Sequence, residues 1–190
     1  MTKSKKSNRR SPLPLIFMGL GLILLAVAVI VFVPKDPPKK KSEGNFGAVP
    51  AAVNYLAPEI NLTDINSYHV SLTDLRGQVV LINNWATWCP PCRAEMPELE
   101  AYYRAHKDED FVLVGISAGD TQAQVVDFVA EYGLTFPMWL DYDNETLAAF
   151  KTMALPSSFV IDKTGMVRLA WSGGIDAATL EEYLTPLLRE

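Results

Sequence analysis

Cys89 and Cys92 are the only two cysteines of the chain, and their spacing suits thiol–disulfide chemistry. An apolar run at residues 79–82 predicts a buried strand before them, and residues 93–104 predict a helix after them. Side chains three positions apart on a helix have Cβ atoms roughly 5–6 Å apart, near enough for a disulfide after a small adjustment. The unpaired N–H groups and the dipole at the helix start favour a thiolate at Cys89. We therefore predict that Cys89 is the nucleophile and that Cys92 resolves the mixed disulfide.

An inert structural pair, or half of a zinc site, is the alternative for these cysteines. Structural zinc is bound by four ligands. The only histidines are His69 and His106, which are remote in sequence and predicted to be surface or capping residues. We therefore predict redox chemistry at the cysteine pair, with no metal and no cofactor.

Residues 79–100, VVLINNWATWCPPCRAEMPELE, resemble the active-site segment of membrane-anchored thioredoxin-like proteins of the TlpA/ResA/CcmG type. These proteins carry a redoxin or AhpC/TSA-like thioredoxin domain. The resemblance runs from about residue 57 to the C-terminus, and Pro156, in the sequence LPSSFVID, matches the cis-proline segment of the family. Asn84 is a departure, because the family usually has an aromatic residue there. An asparagine that points into the sheet core needs hydrogen-bond partners.

Glu95 matches the acidic residue that the family carries three positions after the second cysteine. The resemblance implies that this carboxyl group is partly buried beneath the cysteines, where it would raise a thiol pKa by like-charge repulsion and could relay the proton of Cys92. The alternative is an exposed acid in the first helical turn that merely complements the helix dipole. We favour the first interpretation, which makes Glu95 catalytic together with the two cysteines.

The resemblance also implies a platform for the substrate. In thioredoxin-like folds the cis-proline loop faces the cysteines, and the backbone of the preceding residue, here Leu155, pairs with a substrate strand. Trp88 lies beside the nucleophile and is a better substrate contact than Trp85, which core packing explains equally well. The predicted substrate-binding residues are Trp88, Pro90, Pro91, Leu155 and Pro156.

Charge is distributed unevenly along the chain. Residues 1–43 hold nine lysines and arginines against two acidic residues, whereas residues 44–190 hold eight against twenty, a net charge of −12. An acidic domain lacks the basic surface that nucleic acid requires. The basic residues instead flank an apolar segment, as they do in membrane anchors.

Residues 13–33 contain no charged side chain across 21 positions, enough to span roughly 30 Å of hydrocarbon as a helix. A cleaved signal peptide is the alternative, but its apolar region would be unusually long and no good cleavage site follows. Five basic residues precede the span and four follow it, so the charge bias for orientation is small. The short leading tail favours a cytoplasmic N-terminus with the domain outside, and the resemblance implies the same arrangement.

The predicted organisation is therefore a basic cytoplasmic tail at 1–12, a transmembrane anchor at 13–33, a Pro/Lys-rich linker at 34–56 and a thioredoxin-like domain at 57–190. Alternating strand and helix patterns predict an α/β fold with a central mixed sheet flanked by helices. Short strands at 59–63 and 68–72 predict an N-terminal hairpin. A helix at 122–132, with the elements after it, matches the strand–helix insertion of the family.

We expect a membrane-anchored, extracytoplasmic thiol–disulfide oxidoreductase that mainly reduces protein disulfides. The resemblance implies apocytochrome c as a candidate substrate and a membrane thiol reductant as the electron donor. An oxidase or isomerase of secreted proteins is the alternative direction, and a non-catalytic chaperone that binds cysteine-containing clients is a second alternative. A peroxiredoxin is disfavoured, because its motif needs proline at position 82 and Ser or Thr at position 86, where this chain has Ile82 and Ala86.

Overall fold

Eight strands form one mixed sheet in the computed structural model, which describes residues 47–189. The spatial order is β1-β8-β7-β4-β5-β6-β2-β3. The strands are β1 Ala51–Leu56, β2 Asn61–Asp64, β3 His69–Ser71, β4 Val79–Trp85, β5 Phe111–Ala118, β6 Met138–Asp141, β7 Ser157–Ile161 and β8 Met166–Ser172. The predicted tail and membrane span, together with the first part of the linker, lie outside the described residues. Among residues 47–189 no helix has the length and apolarity needed to cross a bilayer.

Strand β4 lies at the centre of the sheet, and all seven of its residues are buried. It pairs in parallel with β5 and antiparallel with β7. Successive side chains point to opposite faces of a strand, so Leu81 packs with one core layer and Ile82 with the other. The apolar run therefore does form a strand buried on both faces, as the sequence predicts.

Five helices and one 3-10 turn accompany the sheet within the described part of the chain. They are the turn Leu72–Leu75 and the helices α1 Pro90–His106, α2 Gln122–Tyr132, α3 Glu145–Ala149, α4 Ala177–Tyr183 and α5 Thr185–Leu188. The predicted bounds of α2 are confirmed. Its N-cap Thr121 forms a capping box with Gln124, and Gly133 ends it in the left-handed conformation at φ 63°.

The two faces of the sheet are covered differently. Side chains from α1, α2, α4 and α5 pack on one face, and we call this the α1 face. The opposite face is covered by the 3-10 turn, by Ala149 of the short α3 and by the neighbouring Phe150. A mixed sheet flanked by helices on both sides is confirmed, with the longer helices on the α1 face.

The hairpin and the insertion are also found. Strands β2 and β3 pair antiparallel, with Asn61 opposite Ser71, and β2 then joins the sheet beside β6. Helix α2 and strand β6 lie between β5 and α3, and β6 pairs in parallel with β5.

The sequence predicts one last helix that Asp176 caps and that carries Leu180, Leu184 and Leu188, but the structure has two short helices there. Asp176 caps α4 as predicted, its side chain accepting from Thr179 N at 2.8 Å. Pro186 then lies in the first turn of α5. A proline inside a helix lacks the N–H for the next hydrogen bond and its ring clashes with the preceding turn. The single helix is therefore divided at Leu184.

The linker predicted at residues 34–56 is wrong at its C-terminal end, because Ala51–Leu56 forms strand β1. This strand pairs antiparallel with β8, and Ala57 N donates to Gly165 O at 3.0 Å. Five of its six residues are exposed, so the sequence lacks the apolar alternation that marks a half-buried strand. The hydrogen bonds to β8 determine its conformation, and the sheet begins before residue 57.

We predict that a chain shortened to begin at residue 57 unfolds more easily than one that begins at residue 47. The lost strand contributes several backbone hydrogen bonds at about 0.5–1.5 kcal/mol each, so the free energy of unfolding should fall by at least about 1 kcal/mol. Urea unfolding followed by circular dichroism measures the difference. Equal stability of the two chains would mean that residues 51–56 act as linker.

Candidate active site

Cys89 and Cys92 form a disulfide at the N-terminus of α1, with 5.3 Å between their Cα atoms. Cys89 is the N-cap residue, and its Sγ accepts from Cys92 N at 3.4 Å. Pro90 and Pro91 occupy the first helical turn, where a missing N–H leaves no hydrogen bond unmade. The helix therefore begins three positions earlier than predicted. Cys92 is fully buried and Cys89 nearly so, whereas both prolines are exposed.

The loop before Cys89 is held by the end of strand β5. The buried carboxylate of Asp120 accepts from Thr87 N at 2.8 Å and from Thr87 Oγ1 at 2.7 Å. Ser117 Oγ donates to the same carboxylate at 2.7 Å. Strands β4 and β5 are parallel neighbours, so their carboxyl ends lie at one edge of the sheet and this contact fixes the entry to α1.

Arg93 connects α1 to α2. Its Nη1 donates to Thr87 O at 3.2 Å, and its guanidinium lies over the rings of Phe128 and Tyr132, 5.1 and 5.3 Å from their centroids. Its Nη2 also lies 3.6 Å from Glu131 Oε1. Stacking on aromatic faces is a favourable setting for a guanidinium. The inserted helix therefore helps to hold the start of the cysteine helix.

The two tryptophans of the motif have different environments. Trp85 is fully buried and packs on Phe128 with 4.7 Å between ring centroids. Trp88 is 67% exposed directly beside Cys89. Core packing therefore accounts for Trp85, and Trp88 remains the candidate for contact with a substrate.

Glu95 is fully buried, so the alternative of an exposed helix-start acid is wrong. It lies one turn after Cys92 on the same face of α1. Asn83 Nδ2 donates to Glu95 Oε1 at 2.8 Å, and Ile175 N donates to Glu95 Oε2 at 3.2 Å. Burial raises the pKa of Glu95 from 4.5 to about 8, and these two donors only partly offset that effect.

Asn83 and Ser158 were missing from the predicted site. They face each other in the β4–β7 register, and Asn83 Nδ2 donates to Ser158 Oγ at 3.0 Å. A buried asparagine in an apolar strand was the available signal, but only its neighbour Asn84 was singled out. Asn84 points to the opposite face and donates to Ser157 Oγ at 3.3 Å, which supplies one partner that it needs.

Pro156 follows a cis peptide bond from Leu155, as the resemblance implies. Strand β7 begins at the next residue, and Pro156 O accepts from Gly173 N at 2.9 Å. Leu155 is half-buried against the α1 face. Within the described residues its backbone makes no hydrogen bond to other backbone groups. The substrate-binding roles of these residues stay predictions.

His106 is buried near the end of α1, so the prediction that it lies at the surface is wrong. Its Nδ1 lies 3.0 Å from Glu109 Oε1 and its Nε2 lies 2.8 Å from Glu181 Oε1, so both ring nitrogens have partners. His69 is exposed, as predicted. Among residues 47–189 no cluster of three or more His, Cys, Asp or Glu side chains is placed to hold a metal.

Comparison with known proteins agrees with this geometry. The AhpC/TSA family model matches residues 53–170. The thiol-disulfide oxidoreductase ResA of Geobacillus kaustophilus (strain HTA426) is 35% identical over 133 residues, which cover 70% of this chain and 76% of that protein.

Solved structures give the same result. A thiol:disulfide interchange protein of the thioredoxin family from Chlorobium tepidum TLS is 26% identical with a TM-score of 0.65, over 73% of this chain and 99% of that one. A DsbF homologue from Corynebacterium diphtheriae is 26% identical with a TM-score of 0.67, over 76% and 96%. The chain therefore belongs to the AhpC/TSA family and is a thioredoxin-like thiol–disulfide oxidoreductase of the ResA type.

Proposed function

We propose that this oxidoreductase is a membrane-anchored reductant of protein disulfides that works outside the cytoplasm. The observation that carries the reducing direction is Glu95, a carboxyl group buried one helical turn beyond Cys92 with no cation paired to it among the described residues. Apolar surroundings destabilise a thiolate there, and so does an ionised carboxylate. Couples whose reduced form is stabilised are oxidants, so destabilising the thiolate favours electron donation.

Reduction of a substrate disulfide then takes two balanced steps. The Cys89 thiolate attacks one substrate sulfur, the substrate S–S bond breaks, and the other substrate sulfur leaves and takes up a proton. Cys92 then loses its proton to the Glu95 carboxylate and attacks Cys89 Sγ. The mixed disulfide breaks, the first substrate sulfur leaves as a thiolate, and the proton on Glu95 passes to that sulfur or to solvent. The two electrons come from the dithiol, which ends as the Cys89–Cys92 disulfide.

Glu95 suits the role of proton acceptor in the second step. A general base works best when its pKa lies near the working pH, and in the disulfide form burial raises the pKa of Glu95 to about 8, close to neutral pH. The ionised fraction of Glu95 repels a thiolate at Cys92 in the reduced protein and removes the Cys92 proton during resolution, which leaves Glu95 protonated. Both states are therefore used in one cycle.

The substrate is proposed to be an extended protein segment. The exposed Trp88 ring offers an aromatic contact beside Cys89. The backbone of Leu155, which makes no backbone hydrogen bond within the described part of the chain, can receive a strand next to the cis-proline. Apocytochrome c is the candidate substrate that the resemblance suggests. A thiol reductant in the membrane would restore the dithiol, and residues 13–33 would anchor the chain.

We expect a reduction potential below about −220 mV for the cysteine pair, at or beyond the glutathione range. Equilibration in glutathione or dithiothreitol buffers, followed by the fluorescence of Trp88 beside the disulfide, measures it. A potential near about −120 mV, that of a strong oxidant, would instead assign the oxidase or isomerase direction.

We expect the Cys92→Ser variant to accumulate a mixed disulfide through Cys89, because the resolving sulfur is absent. Non-reducing electrophoresis and mass spectrometry detect the trapped protein. The matched control is Cys89→Ser, which lacks the attacking sulfur and should trap little or nothing. A double Cys→Ser variant that retains full function in cells would favour the non-catalytic chaperone.

We expect the stability of the oxidised protein to depend on pH through Glu95. Between pH 4.5 and about 8 the native state keeps the proton that the unfolded state loses. The free energy of unfolding should therefore fall by a few kcal/mol as the pH rises through this window, and change little above it. Urea unfolding at several pH values measures the slope. The Glu95→Gln variant should lack this component, and an unchanged slope would contradict the assigned pKa.

A further inference from the structure

Asn83 places a polar side chain in the most buried strand of the sheet. The residue is fully buried, and its Nδ2 is shared between Glu95 Oε1 on α1 at 2.8 Å and Ser158 Oγ on β7 at 3.0 Å. Ser158 lies two positions after the cis-proline Pro156. One amide thus connects the central strand, the cysteine helix and the strand that follows the predicted substrate loop.

The donors of this amide are satisfied while its acceptor is not. Asn83 Oδ1 is buried and has no hydrogen-bond partner among residues 47–189. A buried acceptor without a partner destabilises a fold, and such groups are found where a site requires them. A leucine would fill this strand position without that loss. The useful feature of Asn83 is therefore its N–H group, aimed at Glu95.

Asn84 provides an internal comparison. It is equally buried, carries the same amide and also leaves its Oδ1 without a partner. It faces the opposite side of the sheet, where it donates to Ser157 Oγ and makes no contact with Glu95. Comparing substitutions at Asn83 and Asn84 therefore separates the effect of losing a buried amide from the effect of losing the contact with the Glu95 carboxyl group.

We propose that Asn83 is a positioning residue for thiol–disulfide exchange, because its amide orients the Glu95 carboxyl group and favours the ionised form that accepts the Cys92 proton. This inference rests on the proposed role of Glu95. A hydrogen bond from a neutral N–H to a carboxylate stabilises the charge without adding a counter-charge. The carboxyl group therefore stays a usable base although it is buried.

Few other titratable groups lie near Glu95, and the carboxyl groups among them already accept backbone hydrogen bonds. On α1 they are Cys89, Cys92 and Glu98, whose Oε2 accepts from Ala177 N at 3.1 Å. At the start of α4 the only such group is Asp176, which caps that helix through Thr179 N. Strands β4 and β7 present only amide and hydroxyl side chains beside the carboxyl group. A titration seen in the resolving step is therefore assigned to Glu95 or to Cys92.

The test is the pH profile of the resolving step in the reduced full chain, purified in detergent. Reaction with 5,5′-dithiobis(2-nitrobenzoate) releases one coloured thiolate when Cys89 attacks and a second when Cys92 resolves the mixed disulfide. The rate of the second release is measured from pH 5 to pH 10 by stopped flow. Variants for comparison are Asn83→Leu, Asn84→Leu, Glu95→Gln and the double variant N83L/E95Q.

We expect Asn83→Leu to move the Glu95 inflection upward by roughly one pH unit, because one hydrogen bond to the carboxylate is lost. The resolving rate at pH 7 should then fall about tenfold, in proportion to the ionised fraction. Asn84→Leu should keep the wild-type inflection. In the double variant the Asn83 change should have no added effect on the profile, because the carboxyl group is already gone.

Each contrary outcome has a definite meaning. If Glu95→Gln keeps the wild-type inflection, the proposed role of Glu95 fails and the inference fails with it. If Glu95→Gln abolishes the inflection but Asn83→Leu leaves it in place, only the Asn83 proposal is overturned. An equal shift in Asn84→Leu also overturns it, because loosening of the sheet then explains the effect.

A second variant covers the case in which Asn83→Leu does not fold. Asn83→Asp keeps the shape of the side chain but replaces the N–H donor with a second acidic group. Near-UV circular dichroism checks that the variant is folded. The two coupled carboxyl groups should titrate in two steps, and the upper inflection should lie above the wild-type inflection, because the second group ionises against the charge of the first. An unchanged or lower inflection in the folded variant would overturn the proposal.

Discussion

Burial of one carboxyl group without a cation is the constraint on which the site depends. Taking Glu95 out of water disfavours its charge, and only the neutral donors Asn83 Nδ2 and Ile175 N compensate. A paired cation would have lowered the pKa of Glu95 far below neutrality and removed its value as a proton acceptor. The fold instead surrounds the group with apolar side chains and two N–H groups, which leaves its titration close to physiological pH. The burial of Glu95 therefore lowers stability locally, and under the proposed function the same carboxyl group exchanges the proton of Cys92.

The rest of the architecture supports the position of Glu95 and the cysteines at the start of α1. Strand β4 presents Asn83 on the α1 face, and Asp120, two residues beyond the end of the parallel strand β5, holds the loop that enters α1. The inserted helix α2 supplies the aromatic surface on which Arg93 lies. Each support comes from a different element, so the cysteine helix is fixed at its start and along its first turns. Directly beside the cysteines, Trp88 and the two prolines remain exposed to a partner.

Periodic and motif-based features were readable from the sequence, whereas features that depend on distant partners were not. Helix α2 could be placed to the residue because an apolar face, a capping threonine and Gly133 all agree. Strand β1 could not be placed from the sequence, because its pairing with β8, and not its own pattern of apolar residues, makes it a strand. The burial of His106 likewise depends on α4, which lies far along the chain. The contact of Asn83 also depends on a distant partner, since an asparagine in a strand does not by itself indicate which acceptor its side chain faces.

The contact between Asp120 and Thr87 has a consequence for protein engineering. The segment from Trp88 to Cys92 looks self-contained, yet the backbone amide just before it is held by a carboxylate more than thirty residues away. Transplanted alone into another thioredoxin-like scaffold, the segment would bring its sulfur atoms and lose the anchor of its loop. The smallest unit that could be grafted is therefore discontinuous, and it includes the end of β5 together with the aromatic face of α2. Chimeras designed from sequence boundaries would cut through this unit, and chimeras designed from contacts would keep it whole.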